Sequence, residues 1–145
     1  MAMLPREHSV SRSADVPMAP DALYALIYDV DRYRTWRPKV TALQRLPDKQ
    51  ALPAWIEELG RMKIPMRFER AEPPSLLVAR IDSDTLPFGG AWTYRIEPAA
   101  GGSRLTITED GEVPNLFFRF MSRFVFGHYA TMDAFLKDLQ ARARR

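Results

Sequence analysis

The hydrophobic and polar positions near the C-terminus follow a helical period. From Asn115 to Arg144 the apolar residues recur every three or four positions, which places them on one side of a helix. A lone helix cannot bury so wide an apolar stripe, so the pattern predicts a long amphipathic helix that lies on a concave sheet. The stripe consists of Phe117, Phe118, Met121, Phe124, Val125, His128, Met132, Phe135, Leu136 and Leu139.

The start of the chain predicts one strand and two short helices. Residues Glu7 to Val16 are polar with weak alternation, which is typical of a strand with one wet face. Pro20 and Asp21 then begin a helix, because proline suits the first helical position and an acidic charge suits the helix dipole there. A second short helix begins at Asp31 and is stopped by Pro38, since the residue before a proline avoids the α conformation.

After Pro38 the period changes from 3.6 to 2, which predicts strands. Pro65 lies within one of these segments and indicates an edge strand or a bulge. Short turns join the later segments, so the sheet should be antiparallel. The predicted strands are Val40 to Leu46, Pro53 to Leu59, Met62 to Phe68, Leu76 to Ile81, Trp92 to Ile96 and Arg104 to Glu112.

Composition limits the class of protein. The 145 residues are 46% hydrophobic and 27% charged, which predicts one globular domain over residues 1–145. Lys and Arg exceed Asp and Glu by only 21 to 18, which does not indicate nucleic-acid binding. The absence of cysteine excludes disulfides and thiolate metal sites. No segment has the pattern of a signal peptide or a membrane span, so we expect a cytoplasmic chain without stable membrane insertion.

The order of elements resembles the START-like, helix-grip superfamily called SRPBCC, and in particular its polyketide cyclase/dehydrase and lipid-transport group. The resemblance rests on Trp36-x-Pro38, on the segment from Pro87 to Tyr94, and on Thr108 to Val113 before the last helix. It implies an α+β fold in which a curved antiparallel sheet of about seven strands wraps a long C-terminal helix. It also implies two short helices after the first strand, and a mainly apolar cavity between sheet and helix.

Several aromatic residues are candidates for the walls of such a cavity. Four methionines, at positions 62, 66, 121 and 132, add flexible apolar side chains that adapt to ligands. The alternative is that the same side chains fill a solid core. The candidate wall residues are Trp36, Trp55, Phe68, Phe88, Trp92, Tyr94, Phe124 and Met132.

Three polar residues are candidates for direct contact with a ligand. His128 lies on the apolar stripe, and Glu109 shares a strand face with Leu105 and Ile107, so the two could form a proton-transfer pair. Alternatively, His128 is a hydrogen-bonded core histidine and Glu109 turns outward. Arg80 either points into the cavity, where it would pair with a ligand carboxylate, or lies in solvent.

These observations lead to three hypotheses about function. The first is binding of a hydrophobic small molecule or lipid in an internal cavity, without a cofactor. The second is a cyclase or dehydratase that uses His128 and Glu109 as acid and base. The third is an interaction module, because Phe120 and Phe126 lie off the apolar stripe. Their position predicts either a weak homodimer or partial coverage by the loop from Leu86 to Gly90. Two histidines without paired spacing do not predict a metal site.

Overall fold

The computed structural model describes residues 7–83, 89–112 and 129–144. Strand β1 (Glu7–Val16) is followed by helix α1 (Pro20–Tyr28), a 3-10 turn (Val30–Arg32) and helix α2 (Tyr33–Trp36). Helix α3 (Tyr129–Ala143) ends the described chain. Between α2 and α3 lie strands β2 (Val40–Lys49), β3 (Leu52–Leu59), β4 (Met62–Glu72), β5 (Leu76–Ile81), β6 (Gly89–Ala99) and β7 (Gly102–Glu112).

The seven strands form one antiparallel sheet in the order β1-β7-β6-β5-β4-β3-β2. Strands β2 to β7 pair with their neighbours in sequence, as expected for short connections. The first strand pairs with the last, so that Val10 lies opposite Glu109 and Ala14 opposite Leu105. This arrangement confirms the predicted α+β helix-grip architecture.

Helix α1 covers one end of the sheet through its apolar face. Pro20 lies at its start, and the Asp21 carboxylate accepts a hydrogen bond of 2.9 Å from the Ala22 N–H. Leu23 and Ile27 are fully buried in the core, in agreement with their helical spacing. Helix α2 ends at Trp36, one residue before the dipeptide Arg37-Pro38, as the proline predicts.

The core lies between the inner face of the sheet and the helices. Alternate residues of each strand point inward, so burial follows the predicted period of two on β5, β6 and β7. The described part of the C-terminal stripe packs against these residues, which confirms the predicted side of α3. The buried core residues on the sheet include Trp55, Phe68, Leu77, Ala79, Tyr94, Ile96, Leu105 and Ile107. Those on α3 are Met132, Phe135, Leu136 and Leu139.

Two prolines lie within strands of the sheet, and the predicted edge position of Pro65 is wrong. Pro47 lies within β2, which continues to Lys49, but regular pairing with β3 is interrupted after Leu46. Pro65 lies in β4, which is an interior strand between β3 and β5. The Pro65 carbonyl accepts a hydrogen bond from the Asp82 N–H just beyond the end of β5, so the missing proline N–H disrupts little of the β4–β5 ladder.

Some sequence predictions fall on residues outside the described ranges. They concern the first half of the predicted C-terminal helix, including Phe120, Phe124, Phe126 and His128, and also the loop residue Phe88. In the part of the chain that the structure describes, no helix is long and apolar enough to cross a membrane.

Candidate functional site

Four of the predicted wall residues lie together on the inner side of the fold. Trp55 of β3, Phe68 of β4, Tyr94 of β6 and Met132 of α3 are all buried. The ring centroids of Trp55 and Phe68 are 4.9 Å apart. Trp92 is only partly buried and packs at the margin of the same core. The alternation of apolar residues on β4 and β6 therefore placed Phe68 and Tyr94 on the correct face.

Phe135 of α3 is the centre of this aromatic cluster. Its ring centroid lies 5.3 Å from Trp36, 5.8 Å from Trp92 and 5.5 Å from Tyr94. Edge-to-face and tilted arrangements of this kind are favourable for aromatic rings. Around Phe135, the predicted wall residues Trp36, Trp92 and Tyr94 contact this ring, as packed core residues do.

Arg37 and Glu57 form a buried ion pair that the sequence pattern did not identify. Arg37 is 8% exposed and Glu57 is 7% exposed. The Arg37 Nη2 lies 3.4 Å from the Glu57 Oε2, and the other Glu57 oxygen accepts a hydrogen bond of 2.9 Å from the Trp55 indole N–H. Glu57 shares the inward direction of Trp55 two residues earlier, so alternation along β3 was a signal that could have found it.

The Arg37 guanidinium also contacts two aromatic rings. Its central carbon lies 4.9 Å from the centroid of the Tyr33 ring and 4.9 Å from that of Phe135. Contacts at this distance are attractive cation–π interactions. No periodic signal predicted this position, because Arg37 lies in the short link between α2 and β2.

Burial changes the titration of the groups around this pair. Desolvation raises the pKa of Tyr33 well above its ordinary value, and the Tyr33 hydroxyl donates a hydrogen bond of 2.5 Å to the Ile27 carbonyl. Desolvation also raises the pKa of Tyr94, although the charge of Arg37 opposes the shift. The pKa of Asp138 on α3 is raised by desolvation, and Arg37 and Lys39 oppose that shift.

The structure places Glu109 on the inner face, which is the first of the two alternatives that the sequence left open. Glu109 of β7 lies directly opposite Trp92 of β6 and Val10 of β1, and it is partly buried. Cross-strand neighbours share a face of the sheet, and Trp92 contacts Phe135 across the core. Because His128 lies outside the described residues, the proposed pair of His128 and Glu109 stays a prediction.

The prediction that Arg80 points inward is wrong. Leu77 and Ala79 on the same strand are buried in the core, so Arg80 lies on the opposite, outer face. Its guanidinium binds both carboxylate oxygens of Glu69, with a distance of 3.0 Å from Nη2 to Oε1. The hydrogen bond from Arg80 lowers the pKa of Glu69. Arg80 is thus part of an ion pair on the outer surface.

Two other features of the described residues bear on ligand chemistry. A groove of about 360 Å³ opens at one end of the sheet, and its rim carries the charged residues Arg70, Glu72, Arg95 and Glu97. It shares none of the predicted site residues. Within residues 7–83, 89–112 and 129–144, no group of three or more His, Cys, Asp or Glu residues could hold a metal ion.

Solved structures with this fold include aromatase/cyclases. The di-domain ARO/CYC StfQ from the steffimycin biosynthetic pathway is 16% identical, with a TM-score of 0.76 over 95% of this chain. This chain spans only 51% of the StfQ chain. The Zhui aromatase/cyclase from a Streptomyces species is 14% identical, with a TM-score of 0.75 over 96% of this chain and 94% of that one.

A START superfamily protein from Mycobacterium smegmatis is also similar, at 15% identity and a TM-score of 0.71 over 94% of this chain and 97% of that one. At these identities the similarity establishes the fold alone. No curated protein matches the sequence. The family model described as polyketide cyclase / dehydrase and lipid transport matches residues 7–144. The chain therefore belongs to the polyketide cyclase / dehydrase and lipid transport family.

Proposed function

We propose that this protein binds a hydrophobic small molecule or lipid between the inner face of the sheet and the C-terminal helix. The observation that carries the proposal is the buried ion pair of Arg37 and Glu57 within an aromatic cluster. Burying two charges is unfavourable, and apolar residues of similar size would often serve packing as well or better. Polar groups placed among aromatic side chains are typical of sites that orient a ligand.

The family supports the same proposal at a coarser level. Its description combines cyclase or dehydrase chemistry with lipid transport, and both activities require a hydrophobic molecule to enter the fold. The predicted site residues Phe124 and His128 lie outside the described residues and stay predictions. Trp92 is the best-placed described wall residue, since it is partly exposed and contacts Phe135.

Energetic considerations indicate what such a site needs. Burial of on the order of 300 Å² of apolar ligand surface would contribute about 7–8 kcal/mol at roughly 25 cal/mol per Å². Lost translational and rotational freedom costs at least ~4 kcal/mol, so apolar contact alone would give weak binding. Selective binding would therefore depend on a few polar groups that hydrogen-bond to the ligand.

The proposal can be tested by fluorescence titration with a fluorescent fatty acid and with a naphthalene probe. We expect saturable binding that an excess of unlabelled ligand displaces. Trp92→Ala should weaken binding, because it removes the aromatic ring beside Phe135 that the ligand is proposed to contact. Thr93→Ala is the matched control, since the neighbouring side chain points to the opposite face of β6 and should leave binding unchanged.

The same experiment can refute the proposal. If no probe binds the wild-type protein and Trp92→Ala changes only its thermal stability, the aromatic cluster is a packed core and no ligand enters it. If Thr93→Ala weakens binding as much as Trp92→Ala does, the effect comes from general destabilisation of the sheet.

A second candidate function is that of a cyclase or dehydratase using His128 and Glu109 as acid and base. The position of Glu109 opposite Trp92 on the inner face favours this candidate. A substrate held against Trp92 would lie near the carboxylate, which could transfer a proton. If His128→Ala leaves probe binding intact but abolishes turnover of a polyketide-like substrate, the protein is an enzyme and not a carrier.

A further inference from the structure

The position of Arg37 is fixed by the backbone on both sides. The Arg37 N–H donates a hydrogen bond of 2.7 Å to the Tyr33 carbonyl, and the Arg37 carbonyl accepts one of 3.0 Å from the Val40 N–H. Arg37 is thus the residue that caps the C-terminus of α2, three positions before β2 begins at Val40. Its side chain extends inward from this link to lie against the rings of Tyr33 and Phe135.

Within the described residues, the Arg37 guanidinium uses few of its hydrogen-bond donors. A guanidinium carries five N–H donors. Among the residues that the structure describes, the one hydrogen bond from the Arg37 side chain is the contact of 3.4 Å with Glu57. Glu57 uses its other oxygen to accept the shorter hydrogen bond from the Trp55 indole. Asp138 acts on Arg37 through its charge without forming an ion pair within the described part of the chain.

A second buried hydrogen-bond donor lies beside the same two aromatic rings. The indole N–H of Trp36 is buried and has no hydrogen-bond acceptor among the described residues. The Trp36 ring packs on Tyr33 at 5.5 Å and on Phe135 at 5.3 Å, which are the two rings that Arg37 contacts. Leaving a buried donor without an acceptor is unfavourable. Both neighbouring donors are therefore suited to a group that only accepts hydrogen bonds.

We propose that Arg37 binds the carboxylate of a hydrophobic carboxylic acid, with the apolar body of the acid against the aromatic cluster around Phe135. This inference rests on the proposed function, because it requires that a ligand enters the inner side of the fold. A carboxylate accepts charge-assisted hydrogen bonds from a guanidinium, and these are stronger than those between neutral groups. Glu57 then competes with the ligand for the same guanidinium.

The test compares an acid with a neutral analogue of the same shape. A dansyl-labelled fatty acid and its methyl ester would be titrated separately, and so would naphthalene-2-carboxylic acid and its methyl ester. The wild-type protein should bind an acid about ten-fold more tightly than the corresponding ester. The pair that shows this preference identifies the body of the ligand as aliphatic or aromatic.

Variants assign the preference to Arg37. Arg37→Gln should reduce the ratio of acid to ester affinity to about one while ester binding is retained, and Arg37→Lys should restore part of the preference. Arg34→Gln is the matched control, because it removes the same charge from an exposed position on α2 and should leave the ratio unchanged. Glu57→Gln removes the competing carboxylate and should strengthen binding of the acid.

The outcomes separate this inference from the proposed function. If neither acid nor ester binds, the proposed function fails. If acid and ester bind the wild-type protein equally, or Arg37→Gln retains the preference, ligand binding stands but the carboxylate site is refuted. If circular dichroism shows that Arg37→Gln does not fold, two other measurements test the inference. They are the ratio of acid to ester affinity in the wild-type protein and the binding of the acid by Glu57→Gln. Unchanged or weaker acid binding by folded Glu57→Gln would then overturn the inference.

Discussion

Single residues in this core have two different kinds of role. Leu77, Leu105 and Leu139 are fully buried and contribute apolar area alone. Arg37 and Glu57 are nearly as buried but carry charge, and their pairing only partly offsets the cost of desolvation. This contrast is the reason why the ligand site is proposed at the aromatic cluster.

At the residue scale, Phe135→Ala tests the packing of the cluster. The ring is 2% exposed and contacts Trp36, Trp92 and Tyr94, so its truncation should lower the free energy of unfolding by about 3–5 kcal/mol. Urea unfolding followed by circular dichroism would measure the loss. Lys137→Ala, at an exposed position on the same helix, should change stability by less than about 0.5 kcal/mol. A loss below about 1 kcal/mol for Phe135→Ala would show that the ring is not packed there.

The sequence correctly predicted which side chains are buried where the hydrophobic pattern has a regular period. Trp55, Phe68 and Tyr94 were placed correctly because alternation along a strand defines one buried face. Arg37 was missed because it lies in a link without a period, and a solvent-exposed arginine is the usual expectation. Arg80 was assigned to the wrong face although it alternates with Leu77 and Ala79, so the pattern itself contained the correction.

At the scale of single elements, the sequence predicted that each strand exists, but it predicted the ends of the strands less accurately. The predicted bounds of β1 and β5 match the structure, whereas β4 and β6 extend several residues beyond their apolar cores. Backbone pairing continues through polar residues, so hydrophobic pattern underestimates strand length. The β2–β3 turn was not predicted, because Gln50 and Ala51 adopt positive φ angles that usually require glycine or asparagine.

The junction of β6, β7 and the segment after β1 is sensitive to one glycine. Gly102 has a φ of +152°, and a Cβ at this position would lie 2.3 Å from the Val16 carbonyl oxygen and 2.6 Å from the Met18 nitrogen. Both neighbours are backbone atoms, so neither can rotate away. The adjacent Ser103 donates a hydrogen bond of 2.6 Å to the Met18 carbonyl, which fixes the same junction.

We therefore expect Gly102→Ala to destabilise the protein by about 2–6 kcal/mol, through backbone strain and steric overlap together. Gly60→Ala separates the two effects, since Gly60 also has a positive φ but a Cβ added there would meet no atom within 4 Å. It should cost only about 1–2 kcal/mol. Equal losses for the two variants, measured by thermal unfolding, would show that the close approach at Gly102 contributes nothing.

At the scale of the whole molecule, local connections explain most of the topology. Strands β2 to β7 each pair with the next strand in sequence, which short turns make almost unavoidable. The pairing of β1 with β7 joins residues far apart in sequence, and no pattern in either strand predicts it. The Arg37–Glu57 ion pair was not predicted either, because it joins a residue of the link before β2 to a residue of β3.

The stability of the whole molecule should depend on pH through its buried tyrosines. Burial raises the pKa of Tyr33 and of Tyr94 above the value of about 10 that a tyrosine has in an unfolded chain. The folded state thus favours the neutral phenols, and their contribution to stability is fully present below pH ~10. As the pH rises further, the unfolded chain loses these protons first, so the free energy of unfolding should fall.

Each of the two tyrosines can contribute a slope of at most about 1.4 kcal/mol per pH unit above pH ~10. Urea unfolding at a series of pH values, followed by circular dichroism, would measure the total slope. Tyr94→Phe removes one ionisable phenol and should make the slope shallower, while the stability near neutral pH changes less. Every other ionisable side chain is the same in the wild-type protein and the variant, so the difference between the two slopes isolates Tyr94. Identical slopes would show that the Tyr94 hydroxyl ionises as readily in the folded protein as in the unfolded chain.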